Sequence, residues 1–246
     1  MSARLVIRTF LHAFDRVSLV HLLLLAFLSC AAAAQPAPPV LAAPQARFVV
    51  VIDAAHGGED AGGSLSNSQL EKSFTLALSV RLRSLLAARG IQVVTTRESD
   101  AAVEPDKRVE IANHAQAQAC LSLHASDNGS GSGLGVHLFA SSLSPAQPTR
   151  FVPWKTAQAA WVTRSLALEG VLNSALQHAG MSVTLGRTSL PVVDSMSCPA
   201  VAVEIAPEMG PDKKVAAGLD DPDYQARVAA ALAAALVEWR SEARQP

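Results

Sequence analysis

Four residues have types and settings suited to metal-assisted hydrolysis. His56 follows the run Phe48-Val49-Val50-Val51-Ile52 and sits in a loop holding Gly57, Gly58, Gly62 and Gly63. His124 directly follows the apolar stretch Cys120-Leu121-Ser122-Leu123. Glu204 lies near the end of a second apolar stretch, Ala200 to Ile205, and Glu71 near the start of a helical pattern. Two imidazoles and one carboxylate leave a coordination position of Zn²⁺ open, as in a catalytic rather than a structural site. A further carboxylate that does not bind the metal can take a proton from the activated water. Glycines beside such a centre let backbone approach it without a Cβ clash.

Each residue also has an ordinary reading. Glu71 stands three residues after Ser68, and Ser-x-x-Glu is a helix capping box. A histidine after a strand is commonly a satisfied loop residue. Glu204 is harder to place structurally, because a carboxylate buried in an apolar strand needs a partner or must neutralise. His114, His137 and His178 fall at helical or alternating-strand positions and read as surface or structural residues. Spacing alone does not choose among the seven histidines.

The elements that must position these groups alternate between strand and helix. The β-branched run from Phe48 to Ile52 reads as a central strand buried on both faces. Leu70, Phe74, Ala77, Leu78, Leu82, Leu85 and Leu86 recur at helical spacing, with Gly90 as the stop. Further strands are expected at Ile91–Thr95, Cys120–Leu123, Leu134–Ala140 and Ala200–Ile205. Helices are expected at Lys107–Gln116, Ala157–His178 and Tyr224–Arg240. The alternation predicts a single-domain α/β sandwich, with a mostly parallel or mixed sheet of about six strands between helical layers. Ligand sites in such folds gather at the carboxyl ends of the strands.

Composition narrows the function class. The chain is 50% hydrophobic but only 4% aromatic, much of the remainder being alanine, so a polytopic membrane protein is excluded. The net charge of −1 offers no basic excess for a nucleic-acid backbone. Arg4, Arg8 and Arg16 precede the apolar stretch Val17–Leu28, followed by Ser29-Cys30 and four alanines. Residues 1–34 therefore read as a signal peptide or an uncleaved anchor, with lipidation of Cys30 a weaker third reading. Residues 35–46, with Pro36, Pro38, Pro39 and Pro44, read as an extended linker, leaving 47–246 as the folded domain. The expected location is the periplasm or cell envelope, with membrane contact only through an uncleaved N-terminal segment. The domain alone carries 17 basic against 20 acidic side chains. Cys120 and Cys198 are expected to be two free core cysteines rather than a pair.

The stretch from Val49 to Gly62, with its Asp53-Ala54-Ala55-His56-Gly57-Gly58-Glu59-Asp60 core, resembles the opening motif of zinc-dependent N-acetylmuramoyl-L-alanine amidases of the type 3 family. Further pieces follow in the family's order. They are Leu70-Glu71-Lys72, Thr96-Arg97-Glu98-Ser99-Asp100, the Arg108–Asn113 helix, Ser122-Leu123-His124-Ala125, and the strand Pro199–Glu204. The resemblance implies that His56, Glu71 and His124 bind one Zn²⁺ per chain. It implies that Glu204 is the general base and later the proton donor to the leaving amine. The implied substrate is the amide joining the lactyl group of N-acetylmuramic acid to L-alanine in peptidoglycan, and an activator protein is an implied partner. Asp53 either orients a metal ligand or fixes the loop.

The chain departs from the family pattern at two places. Ala54-Ala55 stands where members carry Pro-Gly before the first histidine, and Ala206-Pro207-Glu208-Met209 follows Glu204 in place of Gly-Phe and Ser-Asn. The segment from Ser141 to Pro153 is short and holds three prolines, so no inhibitory helix is expected there. Two rival readings are a zinc peptidase acting on the peptidoglycan stem and a catalytically silent wall-binding module.

Overall fold

The computed structural model describes residues 47–65, 68–146 and 153–242. The expected leader and linker lie outside the described residues, as does 147–152 of the segment expected to lack an inhibitory helix.

The apolar runs become the middle of a six-stranded mixed sheet. In chain order the strands are β1 (Val49–Ala54), β2 (Gln92–Thr95), β3 (Ala119–Ala125), β4 (Val136–Ser141), β5 (Val183–Thr188) and β6 (Ala200–Ile205), in the spatial order β2-β1-β3-β6-β4-β5. β2, β1, β3 and β6 run parallel, while β4 pairs antiparallel with β6 and parallel with β5. Every residue of β6 is buried, as a near-continuous apolar run requires of a strand covered on both faces.

Side-chain alternation divides the strands between two layers. Val50 and Ile52 of β1, Leu121 and Leu123 of β3, and Val201 and Val203 of β6 enter the larger core. Helices α1 (Glu71–Ala87), α3 (Val162–His178) and α5 (Pro222–Glu242) cover that face. α1 contributes Phe74, Leu78, Leu82 and Leu86, an i, i+4 stripe, and α5 contributes Tyr224, Val228, Leu232 and Leu236. The opposite face is thinner. It is covered by α2 (Pro105–His114) and the single turn α4 (Pro191–Asp194), over Val51, Cys120, Ala200 and Ala202. The polar residues Asp53, Ser122, His124 and Glu204 alternate onto this thin face, so the chemistry lies where helical cover is least. A short antiparallel pair, β7 (Glu208–Met209) and β8 (Val215–Ala217), follows β6.

Two helix starts and one strand depart from expectation in informative ways. α2 begins at Pro105 rather than Lys107, since proline in the first turn forfeits only an N–H that has no helical partner. The long helix begins at Val162, because the preceding Trp154–Ala160 is a 3₁₀ segment. There the buried Gln158 amide donates to the carbonyls of Met196 and Cys198, at 2.9 and 3.0 Å, which holds the segment out of helical line. β5 was not anticipated: Thr184, Leu185, Arg187 and Thr188 are exposed, so this edge strand has no apolar alternation to betray it.

The expectation for the cysteines is overturned: Cys120 and Cys198 form a disulfide. Parallel pairing sets Cys120 beside Ala200, bringing Cys198 to a Cα separation of 6.2 Å, within disulfide reach. A sequence separation of 78 conceals that proximity. Among the described residues no helix is long and apolar enough to cross a membrane.

Candidate metal centre

Three of the four candidate residues meet at the carboxyl ends of β1 and β3. His56 lies just beyond β1 with a left-handed backbone, φ 64°, unusual for a residue with a Cβ. That conformation turns the chain sharply before Gly57 and Gly58. His124 is the penultimate residue of β3, and Glu71 is the first residue of α1. His56 Nε2 lies 3.1 Å from Glu71 Oε2, and His124 Nδ1 lies 3.1 Å from Glu71 Oε1. One ligand atom from each of the three can be chosen so that all lie within 4.8 Å of one another. The imidazole planes stand almost perpendicular, at 88°, with centroids 5.6 Å apart.

The capping-box reading of Glu71 is not realised. Leu70 is the N-cap and makes no side-chain cap bond, and Ser68 has φ 62°. The Glu71 carboxylate points instead to the histidines and accepts from the N–H groups of Gly63 and Ala125, at 2.8 and 3.2 Å. Burial pushes the Glu71 carboxyl up, but the bonds from His124, His56 and Gly63 outweigh it and hold it well below the usual carboxylate range. Its hydrogen bond to Glu71 raises His56 to about 9 against the opposing effect of burial, with Asp60 adding to the rise. Asp60 Oδ2 meets His56 Nδ1 at 2.8 Å and so directs the other ring nitrogen at Glu71. Sequence reasoning gave Asp60 no role, although its place four residues after His56 in a glycine loop was the available signal.

Gly62 closes the loop against Glu71 and His56. With φ 68°, a Cβ there would lie 2.7 Å from both Glu71 Oε2 and His56 Cδ2. Nitrogen and oxygen donors in this number and spacing, with solvent reachable on the cleft side, fit a catalytic zinc ion.

The remaining sequence motifs build the frame. Asp53 is buried, and through Ser122 it reaches His124, whose Nε2 lies 3.4 Å from the Ser122 Oγ. Its Oδ1 accepts from Thr96 Oγ1 at 2.7 Å and Arg108 Nη1 at 2.8 Å, and its Oδ2 accepts from Ser122 Oγ at 2.8 Å. Arg108 also donates to the carbonyls of Ala54 and His56, both at 2.7 Å, while Arg97 donates to those of Ala54, Ala55 and Lys72. Asp100 accepts from the Gly58 N–H and from Lys72 Nζ. The buried pair of Asp53 and Arg108 offset each other's charge, and the network as a whole fixes the backbone that carries His56. Asn113, at the end of the same motif helix, holds Ser195 and Ser197 on the far side of the cleft.

Glu204 is buried on β6, and parallel register places it beside His124. It shares its face with Ala202, which lines a cleft of about 240 Å³ together with His56, His124 and Asp60. The opposite wall is apolar, built from Val103, Pro105, Leu190, Val192 and Val193. Of the other histidines, His114 and His178 are exposed, while His137 is fully buried.

The ordered motifs and the mixed sheet with this candidate metal centre accompany a family match: residues 50–238 fit the sequence profile of the Amidase_3 family of N-acetylmuramoyl-L-alanine amidases. The chain belongs to that family. It is similar to the N-acetylmuramoyl-L-alanine amidase AmiA of Escherichia coli, 37% identical over 92 residues, or 37% of this chain and 32% of AmiA. It is 31% identical over 147 residues to the amidase Rv3717 of Mycobacterium tuberculosis, covering 58% of each. A match to the germination-specific amidase of Bacillus subtilis covers 38% of that protein at 33% identity. The matched stretches thus span about a third to three fifths of these relatives. Among solved structures, the catalytic domain of CwlV from Bacillus (Paenibacillus) polymyxa var. colistinus superposes with a TM-score of 0.62 at 26% identity, over 79% of this chain and 98% of that one. AmiC2 of Nostoc punctiforme gives 0.58 at 27% identity, over 79% and 97%.

Proposed function

We propose that this chain hydrolyses the amide between the lactyl group of N-acetylmuramic acid and L-alanine in peptidoglycan. The observation carrying the proposal is the convergence of His56, Glu71 and His124 at the strand ends of a chain whose family membership spans 50–238. These three residues would hold one Zn²⁺, which when bound supplies Lewis acidity toward a water molecule and the scissile carbonyl. Asp60 orients His56, and the Gly63 and Ala125 N–H groups orient Glu71. Glu204, beside His124 on the cleft face, accepts the proton that the attacking water gives up and returns it to the leaving amine. The apolar wall excludes bulk water from the opposite side of the scissile bond. Export to the periplasm or cell envelope belongs to the same reading, and the Cys120–Cys198 bond supports it, since disulfides persist in oxidising compartments. Activation by a separate protein also belongs to it.

Incubating the purified, zinc-loaded chain with intact peptidoglycan, with and without chelator, tests the reading. The expected product is free peptide beginning with L-alanine, lost on chelation. Peptides beginning at an inner stem residue would instead identify a zinc peptidase. Binding with no bond cleaved, under activator-free and activator-supplemented conditions alike, would identify a silent wall-binding module.

A further inference from the structure

His137 has no part in the mechanism so far, yet it is wholly buried in β4. The antiparallel register sets its Cα opposite Glu204, whose other neighbour is His124. Directly opposed residues on an antiparallel pair share a face, with Cβ atoms about 4.5–5.5 Å apart. His124, Glu204 and His137 thus form one row across three strands, with the carboxylate in the middle.

The ring of His137 is held in a defined state. Its Nε2 donates to the carbonyl of Gly133 at 2.9 Å, which leaves the lone pair of the neutral ring on Nδ1. The backbone is shaped around that edge. Gly129 has φ 56°, and a Cβ there would lie 2.3 Å from Nε2 and 2.5 Å from Cδ2. Nδ1, the remaining polar atom of the ring, is buried with no hydrogen-bond partner. A buried acceptor left in that condition is costly. A carboxylate cannot satisfy it, because both groups are acceptors. A carboxylic acid can.

We propose that His137 is a positioning residue for Glu204, its Nδ1 accepting a hydrogen bond from the Glu204 carboxyl once that group carries the proton taken from water. The inference rests on the amidase reading. The proton passes from water to a Glu204 oxygen and from there to the leaving nitrogen, as the carbon–nitrogen bond breaks. His137 only holds the loaded state between the two transfers. Its orphaned acceptor is complementary to an intermediate form of the enzyme and not to its resting form, the kind of differential interaction that lowers a barrier.

Two isosteric variants separate this role from a structural one. His137→Gln keeps a donor for Gly133 at the Nε2 position and loses the Nδ1 acceptor. His137→Asn keeps an acceptor at the Nδ1 position and loses the Gly133 bond. With zinc-loaded enzyme, the Gln variant should lose about 10- to 100-fold in kcat at unchanged KM and zinc content, and the Asn variant should stay within about threefold of wild type. The reverse order, or equal losses in both, would overturn the proposal in favour of loop support. A second measurement does not depend on turnover. Nitrogen NMR of the zinc-free chain should show the His137 Nδ1 resonance shifting upfield in Glu204→Gln, whose amide mimics the protonated acid as donor. An unmoved resonance would refute the contact whether or not the variants fold well. A wild type that cleaves no muramoyl–alanine bond would sink the amidase reading and leave the NMR result to decide the contact itself.

Discussion

Zinc binding to this centre should be linked to a proton on His56. In the metal-free protein Glu71 is ionised across the neutral range, because the two histidines and the Gly63 N–H hold its carboxyl low. It therefore has no proton to release. His56, raised to about 9, is protonated at pH 7 and must lose that proton before Nε2 can bind a metal. Two pH units separate the working pH from the His56 value, a penalty of about 100-fold in apparent affinity, or about 3 kcal/mol. Affinity should accordingly rise about tenfold per pH unit between 6.5 and 8.5 and level off near 9. Competition against a chromophoric zinc chelator at several pH values measures this slope. Direct NMR titration of His56 in zinc-free protein isolates its share from that of the metal-activated water. Asp60→Asn should lower the His56 midpoint, because Asp60 adds to the rise. A His56 midpoint near 6.5, or an affinity flat across the window, would refute the reasoning.

Glu204→Gln should leave zinc stoichiometry unchanged and cut kcat by at least about 100-fold, measured by metal analysis beside product release. Gly62→Ala, whose Cβ would press on both Glu71 and His56, should weaken zinc affinity more than tenfold in the same chelator competition. Replacing Cys120 and Cys198 together by alanine opens a loop closed over 78 residues and should cost about 4 kcal/mol in denaturant unfolding. Glu169, buried on α3, has its carboxyl pushed up to about 7 by burial, against a bond from the Ala140 N–H and the charge of Arg187. A raised folded-state value means its stabilising contribution is complete below about pH 4.5 and disappears as pH climbs through 7. The loss should reach at most about 3 kcal/mol, and thermal melts should show Glu169→Gln gaining on wild type as pH rises from 5 to 8.

The buried strands were legible because β-branched runs such as Val49–Ile52 admit few other states. α1 was legible because Phe74, Leu78 and Leu82 repeat every fourth residue. β5 was not, since an edge strand bonded on one side needs no apolar pattern. The candidate metal ligands were readable only as a set. Ser68 and Glu71 satisfy a capping rule on paper, and only the tertiary pull of two histidines decides where the carboxylate goes. Asp53 illustrates the same limit. Its partners Arg108 and Thr96 lie 55 and 43 residues away, and Ser122, which links it to His124, lies 69 away. The disulfide was missed for a related reason: pairing of β3 with β6 brings together cysteines 78 positions apart, and local sequence carries no trace of it.

That disulfide has a mechanical consequence. Cys120 lies four residues before His124 on β3, and Cys198 six before Glu204 on the way through β6, so the bond sits at the opposite end of the strand pair from the chemistry. At about 3.3 Å per residue the separation is about 13 Å along β3. The two strands resemble blades riveted at the base. A slip of register would have to stretch the rivet, so the spacing between His124 and Glu204 is fixed by covalent connection before any metal arrives. On the proposed reading, zinc could then be loaded and lost without rebuilding the alignment of His124 and Glu204.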